Sequence, residues 1–139
     1  MAAFVGHPNA LLKLNKAFWE AATLKGVLVN GYTPDVDADT LYSDVSPFEV
    51  SMTGYTAGGV TLGNALVDLD ISGTAHYRAD HATWAALGPG TVSHFVLCAN
   101  DGSDNWVIGH ADISALQPDG GQYQVQASGD GWLTDEWGA

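Results

Sequence analysis

The sequence is poor in three features, and each shortage excludes a class of protein. Cys98 is the only cysteine, so no disulfide can form within the chain. Four basic residues stand against 16 acidic ones, and the formal charge of −12 repels nucleic-acid phosphates and anionic membranes. No apolar run approaches the roughly 18 residues of a membrane span, and the first residues lack the pattern of a secretory signal. We therefore expect a soluble protein that binds neither nucleic acid nor membrane.

Catalytic motifs are missing as well. The chain has no Gly-x-Ser-x-Gly elbow, and no Gly-Lys-Ser or Gly-Lys-Thr follows the glycines at 54–59. Cys98 lies in an apolar run, Phe95 to Ala99, without an evident base, which favours a buried small hydrophobe over a reactive thiol. We expect no enzymatic activity, no catalytic residue and no cofactor.

Glycine, by contrast, is abundant, with 17 residues in a chain of 139. Gly54 and the Gly58-Gly59 pair separate short apolar and hydroxyl-rich segments between Tyr42 and Leu62, as expected for strands joined by tight turns. We predict an all-β fold, an antiparallel β-sandwich or partly open barrel of about eight or nine strands. A short amino-terminal helix or arm over residues 1–23 precedes a single sandwich domain over residues 24–139.

The strand pattern predicts three hairpins. One joins residues 60–62 to 65–71 about Gly63-Asn64, a second joins 91–98 to 106–112 through a polar loop, and a third joins 122–127 to 132–134 at 129–131. The segment 91–98 is the most hydrophobic and is expected to be central. Further strands are predicted at 24–30, through Phe48, Val50 and Met52, and at 74–79 and 83–87.

The amino-terminal segment is the least acidic part of the chain, because three of the four basic residues precede position 26. Residues 10–22 fit a short helix with Asn9 as N-cap, although the chain could instead be extended from Ala17 onward. This asymmetry suggests a docking end, and Trp137 beside two acidic residues is expected to be exposed or docked on a neighbouring subunit. The residues assigned to partner binding are Leu11, Leu12, Lys13, Lys16, Phe18, Trp19 and Trp137.

The run Asp35-Val36-Asp37-Ala38-Asp39 begins like a calcium-binding EF-hand loop. Thr40 then replaces the turn glycine and Ser46 stands where a bidentate glutamate is needed. A solvated acidic loop is the preferred interpretation, and weak calcium binding at an oligomer junction is the alternative. We assign no metal site.

The histidines offer two further patterns. His76, Asp80 and His81 carry metal-ligating atoms, but nothing in their spacing directs them to one point. His94 and His110 lie on strands predicted to pair, so they are possible cross-strand neighbours. Partly buried structural histidines are expected, whose protonation near pH 6 would weaken that hairpin.

The five tryptophans support a second class of function. Core packing is expected for Trp84 and Trp106. Exposed tryptophans near an acidic rim would suit stacking on carbohydrate instead, as in a receptor-binding module.

A set of segments from about Leu24 onward forms a recognisable pattern, in which the run Gly54-Tyr55-Thr56-Ala57-Gly58-Gly59 is the most specific part. The segments are 24–34, 43–45, 49–62, Asp80, 83–84, 95–99, 108–112 and 129–133. In these segments the chain resembles a family of small virion proteins of tailed bacteriophages and prophages. Met52 replaces the first glycine of the family's usual Ser-Gly-Thr-Gly-Tyr, and Leu97-Cys98 stands where a tyrosine is frequent.

The resemblance implies a structural component of the virion, made in the host cytoplasm. The favoured role is a decoration or cement protein that binds the outer surface of the major capsid shell and stabilises it. A homo-oligomer, expected to be a trimer, would multiply weak contacts by avidity. The alternative is a tail, tail-fibre or baseplate component with carbohydrate receptor binding.

Overall fold

The computed structural model describes residues 4–7, 15–129 and 131–136. These residues form ten strands, two short α-helices and one 3₁₀ turn. The helices are α1 (Lys16–Ala21) and α2 (Tyr42–Val45), and the 3₁₀ turn is Ser46–Phe48. The strands are β1 (Val5–Gly6), β2 (Thr23–Val29), β3 (Val60–Leu62), β4 (Leu66–Leu69), β5 (Thr74–Arg78), β6 (Ala82–Trp84), β7 (His94–Asn100), β8 (Asn105–Asp112), β9 (Tyr123–Val125) and β10 (Leu133–Glu136).

The strands form three antiparallel sheets. The largest has the order β1-β8-β7-β2-β3, and the other two are β10-β5-β4 and β6-β9. Within the described residues the large sheet ends at β1 and β3 and does not close on itself, so the fold is an open all-β sandwich. The all-β prediction is confirmed.

The strand β7 lies at the centre of the large sheet, as its apolar run predicted. It pairs with β2 along its whole length, from Thr23 opposite Asn100 to Val29 opposite His94. Its hairpin with β8 is also confirmed, with an irregularity in the register after Leu97. Cys98 is fully buried, and burial raises the pKa of its thiol well above the usual range, so it is an inert core residue.

The large sheet is buried on both faces. One face packs on the two smaller sheets in a core that also includes Trp19, Tyr77, Trp84 and Trp132. The other face is covered by the segment after β2 and forms a second, smaller core. Its members are Val27, Val29, Tyr32, Val45, Val96, Cys98 and Val107. A sheet buried on both sides accounts for the continuous apolar character of β7.

The amino-terminal segment is not a separate arm where the structure describes it. The strand β1 pairs with β8, with Val5 opposite His110 and Gly6 opposite Gly109. The helix α1 begins at Lys16, where the side chain of its N-cap Asn15 accepts the backbone N–H of Phe18 at 2.8 Å. The strand β2 begins at Thr23, so the expected boundary between residues 23 and 24 falls within that strand. Asn9, the predicted N-cap, and residues 10–14 of the predicted helix lie outside the described residues.

The predicted strand through Phe48, Val50 and Met52 is wrong. Pro47 lies in the 3₁₀ turn that ends at Phe48, whose side chain is 40 % exposed, and a single bridge from Val29 to Glu49 is the only ladder contact described there. Proline lacks the N–H that a paired strand would need, which favours the turn.

Two of the predicted hairpins are wrong for a shared reason: at each turn the chain passes from one sheet to another. The strand β3 pairs with β2 in the large sheet and ends at Leu62. The chain then turns at Asn64, which has a positive φ of 56°, and β4 pairs with β5 in a different sheet. Likewise β9 pairs with β6 while β10 pairs with β5. Turn residues show where the chain bends, but they do not reveal which strand it meets next.

The glycine-rich run from Gly54 to Gly59 is a loop whose backbone packs directly against the backbone of neighbouring segments. Gly54 has a φ of 86°, and a Cβ there would overlap the carbonyl oxygen of Ala86. Gly59 has a φ of 87°, and a Cβ there would overlap the carbonyl oxygen of Gly26 in β2. Both positions require glycine because of the positive φ and the lack of space.

Candidate interaction surface and histidine cluster

Exposed apolar side chains concentrate on β4 and the turn that follows it. Leu66 is 41 % exposed, Leu69 64 % and Ile71 fully exposed, and they are three of the six large hydrophobic residues described as exposed. Scattered exposed hydrophobes are ordinary, but two largely exposed side chains at the end of one strand and in its turn concentrate apolar area there. Leu66 points to the opposite face of β4 from Leu69, because successive strand residues alternate faces. We call Leu69 and Ile71 the β4 hairpin surface.

The turn that presents Ile71 is held by Asp70. Its Oδ1 accepts the backbone N–H and the hydroxyl of Ser72, at 2.8 and 2.6 Å, and the N–H of Thr74 at 3.1 Å. Its Oδ2 lies 3.0 Å from Nε2 of His76. The bonds from Ser72, followed by His76, lower the pKa of the Asp70 carboxyl well below its usual range. The turn is therefore fixed in advance, with Ile71 projecting from it.

The strand β4 lies at the edge of its sheet, and a side chain of the helix α1 binds one of its outward N–H groups. Oε2 of Glu20 accepts the backbone N–H of Val67 at 3.0 Å and the Lys16 ammonium at 2.8 Å. An occupied edge N–H cannot take part in pairing with a strand of another molecule. The β4 hairpin surface is therefore suited to contact through side chains rather than to strand addition.

The described members of the predicted partner-binding set fare differently. Lys16 is exposed and pairs with Glu20, and Phe18 is half-buried against the main core. The assignment of Trp19 is a mistake, because Trp19 is fully buried, donates its indole N–H to the carbonyl oxygen of Arg78 at 2.9 Å and packs edge-on against Tyr77. Leu11, Leu12, Lys13 and Trp137 lie outside the described residues.

Three histidines meet beside β1, on the face of the large sheet that carries the smaller core. Nε2 of His7 lies 2.7 Å from Nδ1 of His110, and the ring centroids of His94 and His110 are 5.9 Å apart. The proximity of His94 and His110 was predicted, as diagonal rather than directly opposed neighbours, since His94 pairs with Asp112. His7 is fully buried and His110 is 8 % exposed.

The hydrogen bonds fix the tautomers of the neutral pair. The carbonyl oxygen of Asp39 can only accept, and it lies 2.9 Å from Nδ1 of His7, so that nitrogen carries the proton. Nε2 of neutral His7 must then accept from Nδ1–H of His110. Burial, followed by the charges of His7 and His94, lowers the pKa of His110 to about 4, against a smaller opposing effect of Asp39.

The acidic loop, residues 35–39, contacts this cluster through the carbonyl oxygen of Asp39, and two of its carboxylates accept hydrogen bonds from the loop itself and from Tyr32. Oδ2 of Asp39 accepts the Tyr32 hydroxyl and the N–H of Asp35, and Oδ1 of Asp35 accepts the N–H groups of Asp37 and Ala38. Across residues 4–7, 15–129 and 131–136, no group of three or more His, Cys, Asp or Glu residues is placed to hold a metal ion. The calcium alternative thus has no assembled site in the described chain.

The second histidine pattern is dispersed. His76 contacts Asp70, whereas Nδ1 of His81 accepts the backbone N–H of Ala127 at 2.9 Å. The carboxylate of Asp80 accepts the side-chain amide of Asn64. These three side chains therefore serve separate structural contacts.

A carboxylate anchors the glycine-rich loop to the domain. Glu49 accepts the hydroxyls of Tyr42 and Tyr55 and, at 2.7 Å, the backbone N–H of Gly58. Burial, followed by the bond to Glu49, raises the pKa of Tyr42 to about 12 and that of Tyr55 well above its usual range. The loop is consequently a structural element with defined anchors.

The tryptophans leave little for carbohydrate stacking. Trp84 and Trp132 are buried, and Trp106 is half-buried with its indole N–H 3.1 Å from Oδ2 of Asp101. With Trp19 in the core, each of the four tryptophans in the described part of the chain is packed. An open groove of about 600 Å³ lies between residues 112–116 and β9, and its walls are linked by the Tyr123 hydroxyl, which donates to the carbonyl oxygen of Leu116.

Sequence reasoning missed the β4 hairpin surface and His7. The signal for the first was Asp70, Ser72 and Gly73, which together favour a turn with Ile71 at its tip. A two-residue strand such as β1 has no detectable periodicity, so nothing marked His7 as buried.

Comparison with known proteins gives no match: no family model, no curated protein and no solved structure is significantly similar to this chain. Among the described residues, no helix has the length and apolar character needed to cross a membrane.

Proposed function

We propose that this protein is a structural component of a tailed-phage virion, a decoration protein that binds the outer surface of the major capsid shell. The observation that carries the proposal is the β4 hairpin surface, in which Leu69 ends β4 and Ile71 projects from the following turn, which is held by four contacts to Asp70. A rigid apolar projection loses little conformational freedom on binding and suits a partner with an apolar pocket.

The net charge of −12 supports the same role. Such a charge keeps copies of the domain apart in solution at high concentration, while a complementary surface on the shell would attract them. Assembly around a local symmetry axis as a trimer would then multiply individually weak contacts.

The second candidate function is that of a tail, tail-fibre or baseplate component. The family resemblance supports it equally, because the resemblance concerns virion proteins as a class. Carbohydrate binding is the weaker part of this candidate, since the tryptophans of the described residues are packed in the domain.

Replacement of Leu69 by serine tests the proposal. Purified variant protein is added to particles that lack the protein, and binding is measured by sedimentation. We expect binding roughly tenfold to a hundredfold weaker, because burying one leucine contributes about 1.5–3 kcal/mol. Circular dichroism should be unchanged, since Leu69 is 64 % exposed.

Leu116 provides the matched control, because it is also 64 % exposed but lies beside the groove at residues 112–116. Leu116→Ser should bind as the unmodified protein does. Equal loss in both variants, or none in Leu69→Ser, would contradict a role for the β4 hairpin surface.

A further inference from the structure

We propose that the His7–His110 pair is an acid-sensitive latch that holds β1 on the edge of the large sheet and releases it when the pair is protonated. This inference goes beyond the proposed function and does not depend on it. It rests on the position of β1, on the buried imidazole pair, and on the groups that surround that pair.

Within residues 4–7, 15–129 and 131–136, the strand β1 has few attachments besides His7. It contributes two residues to the ladder with β8, and the N–H of His7 extends that ladder by one bond to the carbonyl oxygen of Ile108 at 2.8 Å. Phe4 lies over Gly109 and packs edge-on against Trp132, with ring centroids 5.9 Å apart. A two-residue edge strand is marginal by itself, so the buried imidazole of His7 is a main anchor.

The bonding of the pair is compatible with few protonation states. The first proton, added to Nε2 of His110, leaves its Nδ1–H donating to Nε2 of His7 at 2.7 Å, so this state keeps the hydrogen bond but places a positive charge on an imidazole that is only 8 % exposed. A second proton makes both facing nitrogens donors and removes the bond. The doubly protonated pair therefore repels itself in a buried position.

The surrounding groups provide little compensating negative charge. From β7, the ring of His94 approaches His110, and from the segment after β2, the ring of Tyr32 packs edge-on against both. The carboxylate of Asp39 favours the charged form of His110, but this effect is smaller than that of burial, and the same carboxylate accepts the Tyr32 hydroxyl and the N–H of Asp35. Asp112, opposite His94 in the ladder, accepts both donors of Ser114.

The sign of the pH dependence follows from burial. The pKa of His110 falls from an ordinary 6.5 to about 4 when the latch is closed, so the open form binds protons more tightly. The closed form is fully favoured above pH 6.5 and loses stability as the pH falls toward 4. For this histidine alone, linkage gives a shift toward the open form of about 20-fold between pH 7 and pH 5.

Release of β1 would leave the β8 edge of the large sheet unpaired from His110 to Ile108. An unpaired edge accepts a strand from another molecule, so acid would convert a closed edge into a binding edge.

Hydrogen exchange with mass spectrometry on the full chain tests the latch, with rates corrected for the intrinsic effect of pH. Between pH 7 and pH 5, amides of residues 4–7 should lose protection by about 20-fold while those of β7 keep theirs. Unchanged protection of residues 4–7 would overturn the proposal. Equal loss in β7 would also overturn it, because acid would then be unfolding the whole domain.

The variant His110→Gln removes the titrating group while its amide N–H can still donate to Nε2 of His7. We expect residues 4–7 to be protected almost equally at pH 7 and pH 5 in this variant. His81→Gln, an exposed histidine elsewhere, should respond as the unmodified protein does. A full acid response in His110→Gln would overturn the proposal.

A measurement on the unmodified protein covers the case in which His110→Gln does not fold. Imidazole nitrogen shifts of histidine-labelled protein should show His110 as a neutral Nδ1–H tautomer at pH 7. Protonation of His110 near pH 6.5 without loss of β1 contacts would contradict the latch.

Discussion

At a few positions two backbone segments approach so closely that only one type of residue fits. The run Gly54 to Gly59 is the clearest case, because Gly54 and Gly59 lie against the carbonyl oxygens of Ala86 and Gly26. Between these two glycines, Tyr55 donates its hydroxyl to Glu49, and its ring stacks on that of Trp84. The most distinctive motif of the sequence is therefore explained by packing.

Replacement of Gly59 by alanine should destabilise the domain by about 2–4 kcal/mol, because the methyl group overlaps the Gly26 carbonyl oxygen. Gly58→Ala is the control, since Gly58 has a similar φ of 95° but open space around it. That variant should cost about 1 kcal/mol through its backbone conformation alone. Urea unfolding curves of both variants measure the difference, and equal losses would show that the close approach does not matter.

The residue scale also shows where sequence reasoning stops. Cys98 and Trp84 could be assigned to the core because both stand among apolar residues in short segments that were predicted to be strands. Trp19 could not, because α1 has only six residues and its buried face is set by contact with Arg78 and Tyr77 on a distant strand. Burial of a lone aromatic residue depends on tertiary contacts that no local pattern encodes.

At the scale of elements, the strands were more predictable than their partners. The hairpin of β7 and β8 followed from two apolar runs around the polar loop at 100–105. The turns at 63–64 and 129–131 carry the same kind of signal, yet the chain changes sheet at both. In a sandwich the partner of a strand is chosen by the packing of layers, which acts over long sequence separations.

The loop anchor at Glu49 makes a prediction for alkaline pH. The pKa of Tyr42 is raised to about 12 in the folded protein. The contribution of this hydroxyl to the free energy of unfolding is therefore complete below pH 10, its ordinary pKa, and is lost as the pH rises toward 12. A spectrophotometric titration of tyrosinate should therefore show late ionisation coupled to unfolding. Glu49→Gln should shift ionisation to lower pH, and an unchanged titration would contradict the anchor.

At the scale of the whole molecule, the domain combines a closed interior with an apolar projection at the end of β4. Both faces of the large sheet are buried, and Glu20 accepts the Val67 N–H on the outer edge of β4. The sequence is strongly acidic, and the β4 hairpin surface adds two exposed apolar side chains, Leu69 and Ile71. Composition indicated the charge and the all-β class, whereas the location of the apolar projection depended on the turn at Asp70.

The copy number of this protein in purified particles tests the central claim most directly. Quantitative mass spectrometry against the major capsid protein measures it. A decoration protein on a capsid lattice should be present at on the order of hundreds of copies per particle. A few to a few tens of copies would instead place it in the tail, and absence from the particle would contradict a structural role in the virion.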